Sequence, residues 1–327
     1  MDREPTTLQE AIIHFSDPQV CFDTMVAVRW PDGVRCPQCG REDVRFLANQ
    51  QKWECRARHP RKQFTIKTGT VFEDSPIKMD KWLVAVWLIV NAKNGISSLE
   101  LHRAIGVTQK TAWFMLQRIR LAMQTGTFEK LSGEVEADET FIGGKAANMH
   151  KDKRDAIFQA RPGLRNARSD AGKAVVFGLL ERHTRTVRAK VVAERNRAAV
   201  EPLLRSAVQP GATVYTDSWR AYRNLDDAYV HEFVDHSEKY VEGRIHTNGI
   251  ENFWALLKRA IHGTYVSVEP FHLFRYVDEE AFRYNEREGS DRTRFYRALG
   301  GVKGRRLTYA ELTGKSSDLD RDAVSVP

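Results

Sequence analysis

The sequence predicts an α/β protein in which a mixed β-sheet flanked by helices follows a small cysteine-containing module and a pair of helices. Three observations support this prediction. Apolar and polar residues alternate in several short segments after residue 134, as in half-buried strands. Residues 80–125 instead carry apolar residues at helical spacing. Turn-forming residues and three closely spaced cysteines dominate residues 31–72, which favours a small, loop-rich module.

Length and charge limit the function classes. A chain of 327 residues is long enough for two or three domains. The net charge of +8 and pI of about 9.3 slightly favour a nucleic-acid partner, although a basic surface can also serve solubility alone. The first residues lack the apolar core of a signal peptide, and the longest apolar run, Trp82–Val90, is too short for a bilayer. We therefore expect a cytoplasmic protein that does not contact a membrane.

Residues 1–30 are predicted to form an N-terminal helical segment. The segment should break at Asp17–Pro18, because a residue that precedes proline disfavours helical backbone angles. Cys21 lies far along the chain from the other three cysteines and beside Phe22 and Met25. A free cysteine packs well in an apolar interior, so Cys21 is predicted to be a core residue.

Residues 31–75 are predicted to form a zinc ribbon. The module has too few apolar residues for a core and needs another source of stability. The sequence CPQC at Cys36–Cys39 supplies two thiolates, and Cys55 with His59 supplies two further ligands of a closed tetrahedral zinc site. The fourth ligand could instead be His102 or a more distant group. A chance cysteine pair in a loop is the alternative, but it would leave the module without a means of folding.

The ribbon is also basic. Eight basic residues stand against three acidic ones between Arg41 and Lys67. This excess fits contact with DNA phosphates, for which we select Arg58, Arg61 and Lys62. A solvated surface would explain the same charges equally well.

Residues 76–128 are predicted to form a helical domain with a helix-turn-helix pattern. A helix over Ser97–Ala104 is followed by a turn at Gly106 and a second helix over Thr108–Met123. If the second helix enters a major groove, its side chains contact DNA. The residues selected for this role are Gln109, Lys110, Trp113 and Arg118. An ordinary helical hairpin would give the same pattern.

Residues 129–290 are predicted to form the α/β domain, and residues 291–327 a C-terminal extension with a loose end. Strands are predicted over residues 134–144, 173–182, 186–194, 212–219 and 228–237, and helices over residues 198–208, 247–262 and 271–287. Residues 145–172 are polar, basic and poor in apolar residues, so we expect a mobile loop there.

Three carboxylates in this domain form a candidate metal site. Asp138 and Asp217 lie at the ends of alternating strands, and Glu251 opens an amphipathic helix. Lys258, seven residues after Glu251, shares its helical face. A pair of Mg²⁺ ions needs hard oxygen ligands on rigid elements, which set the ions roughly 3.5–4 Å apart for in-line phosphoryl displacement. One such residue alone would be explained as a surface charge or cap, but three in strand–strand–helix order favour a metal site.

Together these motifs resemble the zinc-ribbon insertion-sequence transposases, the ISXO-like family with an RNase H-like DDE domain. RWPDGVRCPQCG and QFTIKTGTVFEDSPI resemble the entry and exit of the family's ribbon. VEADETFIGGK, VYTDSWRAY and HTNGIENFWALLKRAIHGTY resemble its three catalytic motifs, and FRYNER its C-terminal helix. The resemblance covers nearly the whole chain. It implies an RNase H-like mixed sheet flanked by helices, preceded by the ribbon and the helix-turn-helix.

The resemblance also implies roles for individual residues. Asp138 and Asp217 match the catalytic aspartates, and Glu251 with Lys258 matches the third motif. Some relatives use asparagine in the third role, and Asn248 stands at that position. A carboxylate binds Mg²⁺ better than a neutral amide, so Glu251 is the predicted ligand and Asn248 the predicted helix cap.

The implied function is transposition of an insertion sequence. The protein would bind terminal inverted repeats in double-stranded DNA, cleave the element's ends with Mg²⁺ or Mn²⁺, and join the 3′-OH to target DNA. Asn248 and Arg259 would contact DNA, and zinc would be structural, with His59 at a ribbon position where the family commonly has cysteine. Pairing of two ends implies a homodimer or higher oligomer, associated with a prokaryotic nucleoid. The alternatives are a domesticated DNA-binding protein that no longer cuts and an RNase H-like nuclease without strand transfer.

Overall fold

The chain forms two compact units. A computed structural model describes residues 4–124, 130–144, 148, 150–160, 172–217, 219, 222, 225–234 and 246–314. The first unit comprises Met1–Thr125 together with Glu286–Pro327, and the second unit comprises Gly126–Asn285. Within the described ranges, no helix is long and apolar enough to cross a bilayer.

Eleven helices and eight strands are present in the part of the chain that the structure describes, besides short 3₁₀ and π-helical turns. The helices are α1 (Leu8–His14), α2 (Pro18–Arg29), α3 (Met79–Asn91), α4 (Ser98–Ile105), α5 (Gln109–Ala122), α6 (Lys151–Ala160), α7 (Arg197–Ala207), α8 (Asn248–Arg259), α9 (Leu273–Asn285), α10 (Asp291–Gly300) and α11 (Tyr309–Leu312). The strands are β1 (Val44–Leu47), β2 (Lys52–Cys55), β3 (Gln63–Phe64), β4 (Glu134–Ile142), β5 (Ala174–Glu181), β6 (Thr186–Val192), β7 (Thr213–Asp217) and β8 (Val230–Val234).

The N-terminal helices begin and end where their capping residues require. Thr7 and Glu10 form a capping box at α1, and the carboxylate of Asp17 caps α2, which has Pro18 at its first position. The predicted break at Asp17–Pro18 is therefore confirmed. Cys21 is 1 % exposed, and its thiol donates to the carbonyl of Phe15, so its predicted place in the core is also confirmed.

The ribbon is a three-stranded antiparallel sheet in the order β1-β2-β3. The ring of Trp53 on β2 stacks on Phe22 of α2 and on Phe64 of β3, at centroid distances of 5.4 and 5.8 Å. Trp30 meets Trp53 edge-on. The ribbon has too few apolar residues for a core of its own. Phe22 of α2 and Trp30, which follows α2, supply the aromatic rings that the short strands lack.

Helices α4 and α5 are joined by a short turn. Ser97 caps α4, which ends at Gly106 in the left-handed conformation, and Thr108 caps α5. Helix α10 packs against α2, α3 and α5, and Arg305 donates to the carbonyls of Leu121 and Gln124 at the end of α5. The sequence did not indicate that the C-terminal segment packs against the first unit's other helices, because these contacts join residues far apart in the chain.

The second unit contains a five-stranded mixed sheet in the order β6-β5-β4-β7-β8. The pairs β4–β5 and β5–β6 are antiparallel, whereas β4–β7 and β7–β8 are parallel. Apolar residues of α7 pack on one face of the sheet, and those of α8 and α9 pack on the other. The predicted RNase H-like mixed sheet flanked by helices is therefore confirmed.

Two predicted segments differ from the structure. Residues 145–172 were expected to be a loop, but Lys151–Ala160 forms α6, because its lysine, arginine, alanine and glutamine residues favour helix even with few apolar contacts. Residues 145–147, 149 and 161–171 of this segment lie outside the described residues. The helix expected to run to His262 ends at Arg259 and continues as a π-helical turn over Ala260–Tyr265.

Candidate functional site

The ribbon brings three cysteines and one histidine together. The ligand atoms of Cys36, Cys39, Cys55 and His59 all lie within 4.8 Å of one another. Cys36 Sγ lies 3.5 Å from His59 Nε2, and Cys39 Sγ lies 3.7 Å from Cys55 Sγ. Three soft thiolates and one imidazole within this distance form a donor set that suits tetrahedral zinc. This cluster is the predicted zinc site, with His59 as its fourth member.

Hydrogen bonds around the cluster favour the metal-binding forms of Cys39 and His59. A hydrogen bond from the backbone of Arg41 lowers the pKa of Cys39 to about 7, which favours the thiolate. His59 Nδ1 donates to the carbonyl of Pro60 at 2.7 Å, so that Nε2 faces the thiols as an acceptor. His102, the alternative ligand, lies on α4 and contacts the carbonyl of Val107.

The basic residues of the ribbon are not equally accessible. Arg58, Arg61 and Lys62, which the sequence selected for DNA contact, are exposed. Lys67 is partly buried, and its ammonium group donates to the carbonyls of Ser75 and Ile77. Lys67 therefore belongs to the internal hydrogen bonding of the first unit, although the sequence counted it with the basic surface.

Only the first part of α5 is accessible. Gln109 and Lys110 are exposed and Trp113 is half-buried. Arg118, however, is 6 % exposed and donates to the carbonyls of Leu307 and Glu73. The structure thus corrects the selection of Arg118 for DNA contact, since helical spacing alone does not show which face other elements cover.

A C-terminal aromatic residue extends the accessible part of α5. Tyr309 on α11 is 40 % exposed, and the ammonium nitrogen of Lys110 lies 4.8 Å from the centre of its ring. The same ring meets Phe114 of α5 edge-on. Local sequence patterns do not indicate this contact, because Lys110 and Tyr309 are 199 positions apart in the chain.

In the second unit, two of the predicted carboxylates lie on adjacent parallel strands. Glu136 on β4 pairs with Tyr215 on β7. Asp138 and Asp217 each lie two residues beyond this pair, and the charge of Asp217 raises the pKa of Asp138. The sequence predicted that both aspartates end a strand, but only Asp217 does so, at the end of β7, where sites commonly form in parallel sheets. Asp138 lies in the middle of β4, because this strand continues to Ile142 alongside β5.

Trp254 links Asp138 to the helix that carries Glu251. The indole Nε1 of Trp254 donates to Asp138 Oδ2 at 3.0 Å. Gly178 pairs with Asp138 across the antiparallel strand β5, and a Cβ atom at Gly178 would lie 2.5 Å from the ring of Trp254. Glu251 lies one helical turn before Trp254, is exposed, and accepts a hydrogen bond from the hydroxyl of Thr247 at 2.9 Å. The sequence analysis missed Trp254 and Gly178.

The electrostatics of Asp138 reflect this crowding. Burial, together with the negative charges of Asp217 and Glu251, raises its pKa to about 6. Within the described part of the chain, the ligand atoms of these three carboxylates do not all lie within 4.8 Å of one another, as those of the ribbon cluster do. Their mutual repulsion still makes the space between these carboxylates attractive to a divalent cation.

Arg195 connects the partly buried Asp217 to the buried carboxylate of Glu139. Its guanidinium lies 3.4 Å from Asp217 Oδ2 and 3.2 Å from Glu139 Oε2. The backbone N–H of Trp219 donates to Asp217 Oδ1 at 3.0 Å, and its ring lies 4.3 Å from the guanidinium. The hydroxyl of Tyr222 donates to Glu139, and burial raises the pKa of Glu139 to about 7.

The first turn of α8 is held by Glu136. This carboxylate accepts from the backbone N–H of Ile250 at 2.9 Å and from Arg182 Nε at 2.8 Å. Thr247 occupies the N-cap position and Asn248 is the first residue of the helix, so the structure corrects the prediction that Asn248 is the cap.

The remaining predicted residues of α8 lie on its surface. Asn248 is exposed at the start of the helix, and Lys258 and Arg259 are exposed at its end. Their exposure leaves all three side chains accessible to a large partner.

Both the ribbon and the domain that contains the mixed sheet match known transposase families. Residues 130–285 match the ISXO2-like transposase domain, and residues 16–59 match the transposase zinc-ribbon domain. The chain is 32% identical over 246 residues to a protein in transposable element ISH50 of Halobacterium salinarum, which covers 72% of this chain and 80% of that protein. It is 33% identical over 99 residues to a transposase-like protein of Haemophilus influenzae, which covers 30% of this chain and 80% of the relative. The chain belongs to the ISXO2-like transposase family.

Proposed function

We propose that this protein is an insertion-sequence transposase that cleaves the ends of its element and joins the freed 3′-OH to target DNA. Asp138, Asp217 and Glu251 are the proposed ligands of two Mg²⁺ or Mn²⁺ ions. The observation that carries the proposal is the position of Asp138 and Asp217 on adjacent parallel strands, with Trp254 joining Asp138 to the helix of Glu251.

The donor chemistry fits such ions. All three side chains offer hard carboxylate oxygens on a strand or helix, which Mg²⁺ and Mn²⁺ prefer. When bound, two divalent ions would supply charge stabilisation to both the attacking and the leaving oxygen of an in-line phosphoryl transfer. The raised pKa of Asp138 supports this site, because crowded carboxylates are relieved by a cation.

The other residues of α8 are proposed to hold DNA. Lys258 follows Glu251 by about two helical turns, or roughly 10 Å, on the same face, which suits a contact to a phosphate near the ions. Arg259 and Asn248 are exposed on the same helix and are proposed to contact the DNA strand beside it.

The first unit is proposed to recognise the terminal inverted repeats. The start of α5 offers the exposed Gln109 and Lys110 and the half-buried Trp113 to base edges and the neighbouring phosphates, as the second helix of a helix-turn-helix does. The exposed ribbon residues that would contact phosphates are Arg58, Arg61 and Lys62. Two ends must be joined in one reaction, so we propose that the protein acts as a homodimer or higher oligomer on DNA, within the prokaryotic nucleoid.

Two other functions are tested by the same experiment. A domesticated DNA-binding protein would bind the element's ends without cutting them, and a nuclease would cut without joining. Purified protein is incubated with Mg²⁺ or Mn²⁺, labelled DNA from the ends of the element that encodes it, and a target plasmid. We expect labelled joint products for the wild type and none for Asp138→Ala or Asp217→Ala. Binding without cleavage, or cleavage without joining, would contradict the proposal.

A further inference from the structure

Strand β4 carries two buried carboxylates beside Asp138, and their contacts lead to the other two proposed metal ligands. We propose that Glu136 and Glu139 are positioning residues, with Glu136 setting the place of Glu251 and Glu139 setting that of Asp217. This inference rests on the proposed function, since it concerns the same metal site. If the inference is right, β4 carries one metal ligand, Asp138, and positions the other two through Glu136 and Glu139.

Alternation along β4 sends the two carboxylates to opposite faces. Glu136 lies two residues before Asp138 and therefore shares its face, on which α8 packs. Glu139 follows Asp138 directly and points to the other face. The two contacts are thus independent of each other, and each reaches a different ligand.

Glu136 holds the backbone of α8 next to Glu251. Its side chain is 1 % exposed, and it accepts from the N–H of Ile250, the residue immediately before Glu251. The first N–H groups of a helix have no partner within the helix, so a carboxylate at this point fixes the position of the first turn. Gly249 permits the approach, because a Cβ atom there would lie 2.8 Å from Glu136 Oε2.

The negative charge of the buried Glu136 carboxylate has basic side chains beside it. Arg182 Nε donates to it at 2.8 Å, His246 Nδ1 lies 3.5 Å from Oε1, and the guanidinium of Arg182 stacks on the ring of Tyr215 at 3.8 Å. A buried carboxylate persists only when it is paired and hydrogen-bonded. These partners therefore keep Glu136 in place as an acceptor for the helix.

Glu139 acts on Asp217 through Arg195. Its side chain is fully buried and receives hydrogen bonds from Tyr222 and from Arg195. The same guanidinium reaches Asp217, so its orientation is set by Glu139 on one side and by the ring of Trp219 on the other. Partners of this kind orient metal ligands, and their removal typically costs about 10–100-fold in metal affinity or activity.

The test measures Mn²⁺ binding without DNA. Full-length, zinc-loaded protein is titrated with Mn²⁺ and free Mn²⁺ is followed by electron paramagnetic resonance. Gly249→Ala should displace the carboxylate of Glu136, and Glu139→Gln should remove the ion pair to Arg195. We expect each to weaken Mn²⁺ binding about 10-fold or more. Alanine by itself favours the helix more than glycine does, so weaker Mn²⁺ binding by Gly249→Ala would not come from a less stable helix.

Two matched variants serve as controls. Glu181→Gln changes a buried carboxylate on β5 that bonds to Ser132 and Thr184. Gly300→Ala adds a methyl group to α10, where it meets nothing within 4 Å. Both should bind Mn²⁺ as the wild type does. Thermal unfolding without Mn²⁺ checks folding, and if Gly249→Ala does not fold, the isosteric Glu136→Gln decides that arm, with an expected loss of several-fold.

The outcomes separate this inference from the proposed function. If Asp138→Ala loses Mn²⁺ binding while Gly249→Ala and Glu139→Gln bind like the wild type, the positioning role is overturned and the metal site stands. If Asp138→Ala, Asp217→Ala and Glu251→Ala all bind Mn²⁺ like the wild type, the proposed metal site itself is wrong.

Discussion

Trp254 and Asp138 are joined by a hydrogen bond of 3.0 Å from the indole nitrogen to the carboxylate. The bond connects α8 to β4 at the proposed metal site. Trp254→Phe removes the donor and keeps most of the ring packing. We expect a loss of about 1 kcal/mol in unfolding free energy, as for one hydrogen bond, and a fall in end cleavage of about 10-fold or more, because Asp138 loses an orienting partner. Denaturant unfolding and single-turnover cleavage measure the two effects.

Gly178 tests the same contact from the other strand. Gly178→Ala would place a methyl group 2.5 Å from the ring of Trp254, and both the ring and the sheet resist movement. Overpacking of this kind costs about 1–3 kcal/mol, which thermal unfolding would detect. Gly144→Ala is the control, since a Cβ atom there meets nothing within 4 Å. Equal stability of the two variants would contradict the close packing of Trp254 on Gly178.

The identity of the fourth zinc ligand can be tested with two histidine variants. Metal analysis should find about one zinc per ribbon in the wild type. His59→Ala should lose most of this zinc, because the imidazole completes the cluster, whereas His102→Ala should retain it, because His102 lies outside the cluster. Zinc retained by His59→Ala and lost from His102→Ala would reverse the assignment.

Cys36→Ala should also lose the metal and unfold the ribbon, since structural zinc contributes roughly 10–16 kcal/mol in small fingers.

Cys21 should react with thiol reagents differently from the three cysteines of the ribbon. Burial raises the pKa of Cys21 to about 12, so its thiolate is scarce at pH 8. In folded, zinc-loaded protein, a thiol reagent should therefore label few cysteines. After a chelator removes the zinc, Cys36, Cys39 and Cys55 should react while Cys21 stays protected until the protein is denatured. Labelling of Cys21 before denaturation, read by mass spectrometry, would contradict its place in the core.

Lys110 and Arg118 should have opposite effects although both lie on α5. Lys110→Ala should weaken DNA binding and reduce the slope of log affinity against log salt by about 1, as loss of one phosphate contact does. Arg118→Ala removes the donor to one buried and one partly buried carbonyl and should cost about 1–3 kcal/mol of stability. Its salt slope should stay that of the wild type. A reduced salt slope for Arg118→Ala at unchanged stability would return Arg118 to the DNA surface.

These residues mark what the sequence could and could not predict. The alternation around Asp138 and the apolar run before Asp217 identify the two strands, because period and turn residues are local properties. The same patterns misplace the end of β4, which lies at Ile142 and not at Asp138. The strand order that brings Asp138 beside Asp217 is a long-range property, and only the family resemblance implied it. The burial of Arg118 and the contact of Trp254 with Asp138 depend on neighbours more than 100 residues away, which local patterns do not encode.

The third ligand of the metal site is the last prediction. Glu251 and Asn248 are three residues apart and share a helical face, so the sequence alone leaves either able to point at the ions. Two contacts favour Glu251. Its carboxylate accepts from Thr247, and its backbone neighbour Ile250 is held by Glu136. Asn248 is exposed at the first helical position and is not the cap.

Glu251→Ala should therefore abolish end cleavage and strand transfer while DNA binding remains, as with Asp138→Ala and Asp217→Ala. Glu251→Gln should fail as well, because the neutral amide keeps the shape but loses the charge that dominates affinity for Mg²⁺. Asn248→Ala should keep much of the activity, since Thr247 remains at the N-cap position. The assay is end cleavage with Mg²⁺ or Mn²⁺ for each variant beside a DNA-binding measurement. Cleavage by Glu251→Ala together with none by Asn248→Ala, at unchanged DNA binding by both variants, would assign the third role to Asn248.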